Sequence, residues 1–281
     1  LSKLGIIAGS GALPREVAES CRAGGRPVFV VRLKGFADDA MLAYPGAEFG
    51  MAEFGHIFKA LKSEGAKSVC FAGAVDRPDF ASLKPDMRGL LAMPGIIAAA
   101  RKGDDAILRQ VMGEFEKEGF AVEGAHQVVA DLALGEGALG SIRPRFEHDA
   151  DMARALEVAR AIGQLDIGQG AVVARGLVLA VEAQEGTDAM LRRCAELPAA
   201  VRGTLEERCG VLAKAPKPIQ ERRIDLPTIG VSTVRRAAKA GLAGIVGEAG
   251  GVLVVDREAV IAEADAMGLF VYGAARAAGH A

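Results

Sequence analysis

The stretch LGIIAGSGALPREVAESCRAGG, residues 4–25, decides the fold. Leu4–Ala8 is a short, unbroken apolar run, the pattern of a strand buried on both faces. Gly9-Ser10-Gly11 closes it. Pro14 suits a first helical turn, the helix can run to about Arg22, and Gly24-Gly25 ends it. Working outward, the same alternation recurs. Pro27–Leu33 (PVFVVRL) reads as a second strand and Ser68–Ala72 as a third. Between them, Met51–Lys62 places Phe54, Ile57, Phe58 and Leu61 on one helical face. Asp104 or Asp105 can cap a helix carrying Ile107, Leu108, Val111, Met112 and Phe115, which Gly119 stops. Strand alternating with helix predicts a parallel sheet with covering helices, a Rossmann-like N-terminal domain.

The alternation fails where Gly135, Gly137, Gly140 and Pro144 crowd together. That composition predicts a linker over 135–147, dividing an N-terminal domain (1–134) from a C-terminal domain (148–281). Beyond it, Asp149 can cap a helix with Met152, Leu156, Ala159 and Ile162 inward. Ala171–Ala174 and Leu177–Ala183 form a hairpin-like pair through Arg175-Gly176. A helix follows from Thr187 to about Glu196, then a strand over Val211–Ala215 and a proline-studded loop over Pro216–Pro227. The tail reads as helix Ser232–Ala240, strands Ala243–Val246 and Val252–Val255, helix Arg257–Met267 and strand Leu269–Tyr272. The expected fold class is α/β in two domains, the second of mixed type.

The chain has 281 residues, 51% of them hydrophobic, enough for two domains with real cores. Its 34 basic and 36 acidic residues nearly balance, which argues against nucleic acid as a main partner. The four cysteines lie far apart without metal-ligand spacing and read as small buried hydrophobes in a reducing compartment. No signal-peptide pattern opens the chain, and Arg175 or Glu248 breaks the longest apolar runs well short of ~20 residues. A cytoplasmic chain that does not span a bilayer is expected.

Four places carry candidate chemistry. The Gly9-Ser10-Gly11 turn exposes backbone N–H groups at a helix start, where an anion is favoured. A dinucleotide fingerprint would need glycine where Pro14 stands, and the second strand ends in Arg32-Leu33-Lys34 without a ribose-binding acid. Asp104 and Asp105 pair two carboxylates at a helix start, although capping needs only one. Glu182, Glu185 and Asp188, with Gly186 and Thr187, gather three carboxylates and a hydroxyl where a strand gives way to a helix. Thr187 reads there as an ordinary N-cap, which leaves Glu182 unexplained. Lys214, Lys217, Arg222 and Arg223 line a loop stiffened by Pro216, Pro218 and Pro227 and ending at Asp225. The histidines show no H-x-x-H or H-E-x-x-H spacing, so a zinc site is not expected. No G-x-S-x-G elbow occurs.

Taken in order, LGIIAGSGALP (4–14), GDDAILRQV (103–111), LDIGQGAVVARGLVLAVEAQEGTDAMLRR (165–193), KPIQERRIDLPTIG (217–230) and GLAGIVGEAGGVLVVDR (241–257) resemble one family over nearly the whole chain. It is the LpxI-type UDP-2,3-diacylglucosamine pyrophosphatase family of lipid A biosynthesis. Glu221 departs from it, standing where the family is expected to have Asp. The resemblance implies hydrolysis of a lipid-linked nucleotide sugar, UDP-2,3-diacylglucosamine, to UMP and 2,3-diacylglucosamine 1-phosphate (lipid X). It implies Mg²⁺ as cofactor, and a cytoplasmic enzyme in transient peripheral contact with the inner face of the inner membrane.

Mapped onto this sequence, the implied catalytic residues are Asp225 and Asp188, and the implied metal ligands are Asp225, Glu182 and Glu185. The implied substrate-binding residues are Ser10, Gly11, Asp104, Gln169, Gly186, Thr187, Lys214 and Lys217. Such chemistry suits a site of carboxylates and lysines: Mg²⁺ takes one or two carboxylates, keeps waters and accepts phosphate oxygens. Leu132, Leu134, Leu139 and Ile142 are candidates for an acyl slot, although core packing explains them as easily. A homodimer is expected only because soluble enzymes so often form one. Two rival readings are a Rossmann-type NAD(P) oxidoreductase and a non-enzymatic regulator that binds nucleotide sugars or lipids.

Overall fold

The computed structural model describes residues 1–77, 79–218 and 221–276. Ile219, Gln220 and His280 lie outside them. The chain divides into two compact units: residues 1–130 with Arg223–Asp225, and residues 131–222 with 226–281.

The first unit is built on a five-stranded parallel sheet. Its strands are β1 (Leu4–Ala8), β2 (Val28–Leu33), β3 (Gly46–Phe49), β4 (Ser68–Ala72) and β5 (Ala121–Val122). They run in the order β3-β2-β1-β4-β5, the first five strands of a doubly wound sheet whose order reverses between β1 and β4. The helices are α1 (Leu13–Ala23), α2 (Phe54–Ser63), α3 (Met87–Ala100), α4 (Asp104–Lys117) and the short α5 (Ala125–Val128). Ile7, Phe29, Val31 and Val69 face a core closed by Phe54, Phe58, Ile96, Met112 and Phe115 of α2, α3 and α4. The alternate residues Leu4, Ile6, Val30 and Cys70 are equally buried, and α1 lies along β1, β2 and β4. Burial on both faces is why these strands read as unbroken apolar runs.

The second unit carries a six-stranded mixed sheet. Its elements are β6 (Gly137–Leu139), α6 (Asp149–Gln164), β7 (Gly170–Ala174), β8 (Leu177–Val181), α7 (Gly186–Ala195), the short α8 (Ala199–Arg202) and β9 (Val211–Lys214). Then come β10 (Thr228–Ile229), α9 (Val231–Lys239), β11 (Gly244–Glu248), β12 (Leu253–Val254), α10 (Arg257–Met267) and β13 (Phe270–Ala274). The sheet order is β6-β13-β11-β9-β7-β8, with β10 and β12 forming a separate parallel pair. Strands β9, β11 and β13 are parallel, while β6, at one edge, and β7 pair antiparallel with their neighbours. Val172, Leu212, Ile245 and Val271 meet a core shared with α7, α9 and α10. Ala171, Val173, Val211, Ala213 and Val246 pack on the opposite face with Met152, Ala155 and Ala159 of α6.

Two expectations change, and one element is new. Residues 135–147, read as a linker from their glycines, contain β6, which pairs with β13; the glycines mark turns at the ends of that short strand. Leu132, Leu134 and Leu139 are buried and Ile142 packs on the α6 core, so these residues fill space rather than line a slot. Residues 87–100, to which the sequence reading assigns no element, form the helix α3. Asp86 caps it by accepting from the Gly89 amide at 2.7 Å, and also takes the His56 amide at the start of α2.

Candidate active site

In the second unit the parallel strands β9, β11 and β13 end together. Lys214 closes β9, Glu248 closes β11, and Arg276 stands two residues past β13. Register ties the row together, with Gly170 opposite Lys214, Lys214 opposite Gly247, and Glu248 opposite Ala274. The carboxyl ends of parallel strands are where α/β sheets usually hold ligands, because the backbone there turns away and leaves side chains around a crevice.

On the α7 and α9 face of this edge lies Glu182, which follows β8 and is buried. Its amide donates to the Gly170 carbonyl at 2.8 Å. One carboxylate oxygen accepts from the Thr187 hydroxyl at 2.9 Å; the other is buried with no hydrogen-bond partner among the described residues. The motif Gly168-Gln169-Gly170 makes this possible. A Cβ at Gly168 would meet the Glu182 carbonyl oxygen at 2.1 Å, and one at Gly170 would meet the Glu182 carboxylate at 2.5 Å. Gln169, between them, also buries a side-chain oxygen that has no partner among the described residues. Lys214 is buried on the same face as Gly170, and its ammonium donates to the Thr228 carbonyl at 2.9 Å. The structure thus gathers Gln169, Glu182, Gly186, Thr187 and Lys214 at one end of the sheet. Two buried acceptors without donors are costly unless something electropositive completes them.

The other acids of the 182–188 segment are engaged differently. Glu185 is the N-cap of α7, and its carboxylate accepts from the Arg193 guanidinium at 2.6 Å, which holds its pKa below the usual range. Asp188 pairs with Arg236 at 2.8 Å and accepts from Ser232 at the exposed surface. Thr187 is not the cap that its sequence position predicts, because its hydroxyl turns back to Glu182. Lys217 pairs with Asp166 at 2.7 Å. Asp166 has a left-handed backbone (φ 55°), a conformation that aspartate tolerates better than most residues. Among the described residues no three His, Cys, Asp or Glu side chains converge as a preformed metal cluster.

Sequence reading missed the α6 face of the same edge. There the buried Glu248 carboxylate is approached by three guanidiniums: Arg160 at 3.2 Å, Arg222 at 3.6 Å and Arg276 at 3.9 Å. One negative charge among three positive ones leaves a net cationic focus suited to phosphate oxygens. Its members come from α6, a loop, β11 and the segment after β13. Only Arg222 carried a local signal, within the basic loop.

The first unit presents different chemistry. The Ser10 hydroxyl donates to the Ala74 carbonyl at 3.0 Å, and the Gly11 amide donates to the Asp38 carboxylate at 2.9 Å. Asp38 therefore supplies, five residues after β2, the acid that the strand's last residues lack. With its carboxylate on the Gly11 amide, the turn suits a hydroxyl-bearing ligand better than a phosphate. Beyond β4 a cavity of about 430 Å³ opens, lined mainly by apolar side chains that include Ile7, Phe54, Phe71, Met93, Ile96 and Val111. Asp76, Arg77, Asp104 and Asp225 supply its polar lining. Asp104 does not cap α4, whose N-cap is Gly103; it pairs with Arg77 at 3.3 Å. Asp105 is buried against Arg109 at 2.6 Å. Asp225 reaches this cavity because Arg223–Asp225 group with the first unit: Ile224 packs in its core and Arg223 pairs with Glu116 at 3.0 Å.

These features define a two-unit α/β protein with an apolar cavity in one unit and an ionic strand-end site in the other. The family comparisons sharpen that class. Residues 3–132 match the model of the LpxI N-terminal domain, and residues 135–272 match that of the LpxI C-terminal domain. The chain belongs to the LpxI family. It is 66% identical, over 97% of its length and 98% of the relative's, to a Caulobacter vibrioides protein named UDP-2,3-diacylglucosamine pyrophosphatase LpxI. Among solved structures, a CobK precorrin-6A reductase aligns over 100% of this chain and 90% of its own. It does so at 14% identity with a TM-score of 0.34, too low to guide either fold or function.

Proposed function

We propose that this protein hydrolyses the pyrophosphate bond of UDP-2,3-diacylglucosamine, releasing UMP and 2,3-diacylglucosamine 1-phosphate (lipid X), a step of lipid A biosynthesis. The carrying observation is the 66% identity across nearly the whole chain to a protein of that name. The geometry supports it: a pyrophosphate needs cationic groups, and acyl chains need an apolar volume. The arginines around Glu248 and the ammonium of Lys214 fit the first need. The cavity of about 430 Å³ fits the second and lies within the range of small-molecule sites. Asp38, beside the Gly9-Ser10-Gly11 turn, fits a ribose hydroxyl.

Mg²⁺ fits the donor set. Glu182 presents a buried carboxylate oxygen without a donor, and Gln169 a buried amide oxygen in the same state. One or two hard oxygens, completed by water and phosphate, are what this ion takes. When bound, Mg²⁺ would neutralise charge on the non-bridging oxygens of the diphosphate. Glu182 is oriented by Thr187 and by the close approach that Gly168 and Gly170 permit. Lys214 and the Arg160, Arg222 and Arg276 side chains stabilise the charge that grows on the leaving phosphate. The water oxygen bonds to phosphorus as the bridging P–O bond breaks. Asp225 is the carboxylate on which turnover depends, as acceptor of the water's proton or as a ligand of the metal. The enzyme works in the cytoplasm at the inner face of the inner membrane.

The test is UMP release from UDP-2,3-diacylglucosamine, with EDTA and with Mg²⁺ restored, for the wild type and Asp225→Ala. Expected are Mg²⁺-dependent release and a loss of about 10²–10⁴-fold in a folded Asp225→Ala variant. Absence of UMP under all conditions would overturn the activity. Near-normal turnover by Asp225→Ala would remove that residue from the mechanism.

A further inference from the structure

Helix α3 has a face that its own unit does not cover. Met87 is 77% exposed, Leu90 56% and Leu91 72%, and Pro94, Gly95, Ile97 and Ala98 continue the same outward surface. A surface helix normally turns charged and polar side chains outward. This one turns none outward; its lone ionisable residue, Arg88, pairs with Glu114 and Glu118 of α4 and its surroundings. The inner face carries Ala92 and Ile96, and Met93 and Ile96 line the apolar cavity. A single helix therefore separates that cavity from an exposed apolar strip.

Charge flanks the strip. From Lys84 to Lys102 the chain holds four cations (Lys84, Arg88, Arg101 and Lys102) and one acid, Asp86, whose carboxylate is committed to backbone amides of α2 and α3. Lys84, Arg101 and Lys102 are exposed at the two ends of the helix. Like charges would face one another if two copies stacked here, whereas anionic headgroups would meet opposite charge at both ends. At 14 residues, α3 is too short to cross a bilayer, and none of the helices among the described residues qualifies as a span. An apolar strip bounded by cations fits a surface that rests in the membrane interface, held by apolar burial and by attraction to anionic headgroups.

We infer that the outward face of α3 is the surface by which this enzyme docks on an anionic lipid bilayer, with Leu90 and Leu91 entering the acyl boundary and Lys84, Arg101 and Lys102 on the headgroups. The inference rests on the diacylated-lipid reading of the function. Docking there puts the cavity that fits acyl chains directly behind the helix in contact with lipid.

The test uses the full chain with sucrose-loaded vesicles of phosphatidylcholine alone or mixed with phosphatidylglycerol. The wild type is expected to sediment with mixed vesicles, less with neutral ones and less at high salt. Leu90→Glu/Leu91→Glu is expected to lower binding at least about tenfold. Lys84→Glu/Lys102→Glu, which alters exposed side chains only, is expected to lower it by a comparable factor, at about fivefold for each cation lost. The chain has no tryptophan, so Leu91→Trp gives a single reporter whose emission should shift to the blue on mixed vesicles.

A wild type that stays in the supernatant overturns the inference. So do variants that sediment as well as the wild type, a reporter with unchanged emission, or sedimentation velocity showing that Leu90→Glu/Leu91→Glu merely dissolves a dimer. UMP release from detergent-dispersed substrate is assayed separately. Intact release without vesicle binding sinks the docking surface alone, and vesicle binding without release sinks the pyrophosphatase reading.

Discussion

The two sheets end their parallel strands in opposite ways. In the first unit β1 and β4 run into Gly9-Ser10 and Gly73-Ala74, which bridge to each other beside an apolar cavity. In the second, β9, β11 and β13 run into Lys214, Glu248 and, two residues on, Arg276. The same architectural position is neutral and small in one unit and buried and ionic in the other. Strand ends are a generic place for a ligand; the side chains there decide which part of a ligand is wanted. An amphiphilic substrate with acyl chains and a diphosphate needs both kinds.

The largest effect should come from disturbing the ionic edge. Glu182→Ala removes the carboxylate aimed into it and leaves Thr187 without its acceptor. Turnover is expected to fall by about 10²–10⁴-fold, and the residual activity should require more Mg²⁺. Gly170→Ala should reproduce part of this loss, because a methyl at that position collides with the same carboxylate. If UMP release in both variants tracks the wild type, the ionic edge is structural, and the contrast between the two sheets carries no functional meaning.

The contrast was only half legible in the sequence. Strands β1 and β4 and helix α10 were read with their observed limits, because complete burial produces plain apolar runs and ordinary helix signals. Helix α3 is not legible, because MRGLLAMPGIIAAA is apolar but for Arg88 and contains Pro94 and Gly95, so no 3.6-residue period stands out. Glu182 was singled out because a carboxylate ending an apolar strand is locally odd. Glu248 also ends an apolar strand, but its partner Arg160 lies 88 positions away and no local pattern announces the pair. Asp38 was missed because the acid sits in the turn after β2 rather than on its last residue. Asp225 stands out in the sequence as the lone acid ending a basic loop, and only the fold shows that its segment groups with the first unit.

A second way to sharpen the comparison is to damage the apolar side. Phe115 is buried at the centre of an aromatic cluster, with ring centroids 5.0 Å from Phe58 and 5.1 Å from Phe71, and it lines the cavity. Phe115→Ala should destabilise the first unit by about 3–5 kcal/mol, measured by denaturant titration with hydrogen exchange to localise the loss. Amides of β9 and β11 should keep their protection. A uniform loss across both sheets would mean that the units do not unfold independently.

A smaller change is expected from thinning the arginine cluster. Arg160→Ala leaves Arg222 and Arg276 near Glu248, so the fold should persist while phosphate recognition weakens. We expect KM for the UDP-linked substrate to rise about tenfold, close to the loss of one charge-assisted hydrogen bond, with kcat changed less. A selective fall in kcat at constant KM would instead place the guanidinium on the transition state.

The smallest predicted effect concerns a well-aligned ion pair at the first sheet, at the opposite end of its strands. Arg26 donates to both oxygens of Glu123 at 2.8 and 2.7 Å and to the hydroxyl of Ser68, the first residue of β4. The guanidinium hydrogen bond, against the opposing cost of burial, holds the Glu123 pKa below its ordinary value. Because the folded-state pKa is depressed, the stabilisation is complete above the unfolded value of roughly 4.3. It is lost as pH falls through the lower folded value. Glu123→Gln should therefore cost about 1 kcal/mol near neutral pH and flatten the acid limb of the stability curve. UMP release should not change, because this pair braces the ends of the strands remote from the cavity. Equal acid sensitivity in wild type and variant would show that the pair contributes nothing, and a fall in turnover would show that the first sheet's chemistry is not confined to its carboxyl ends.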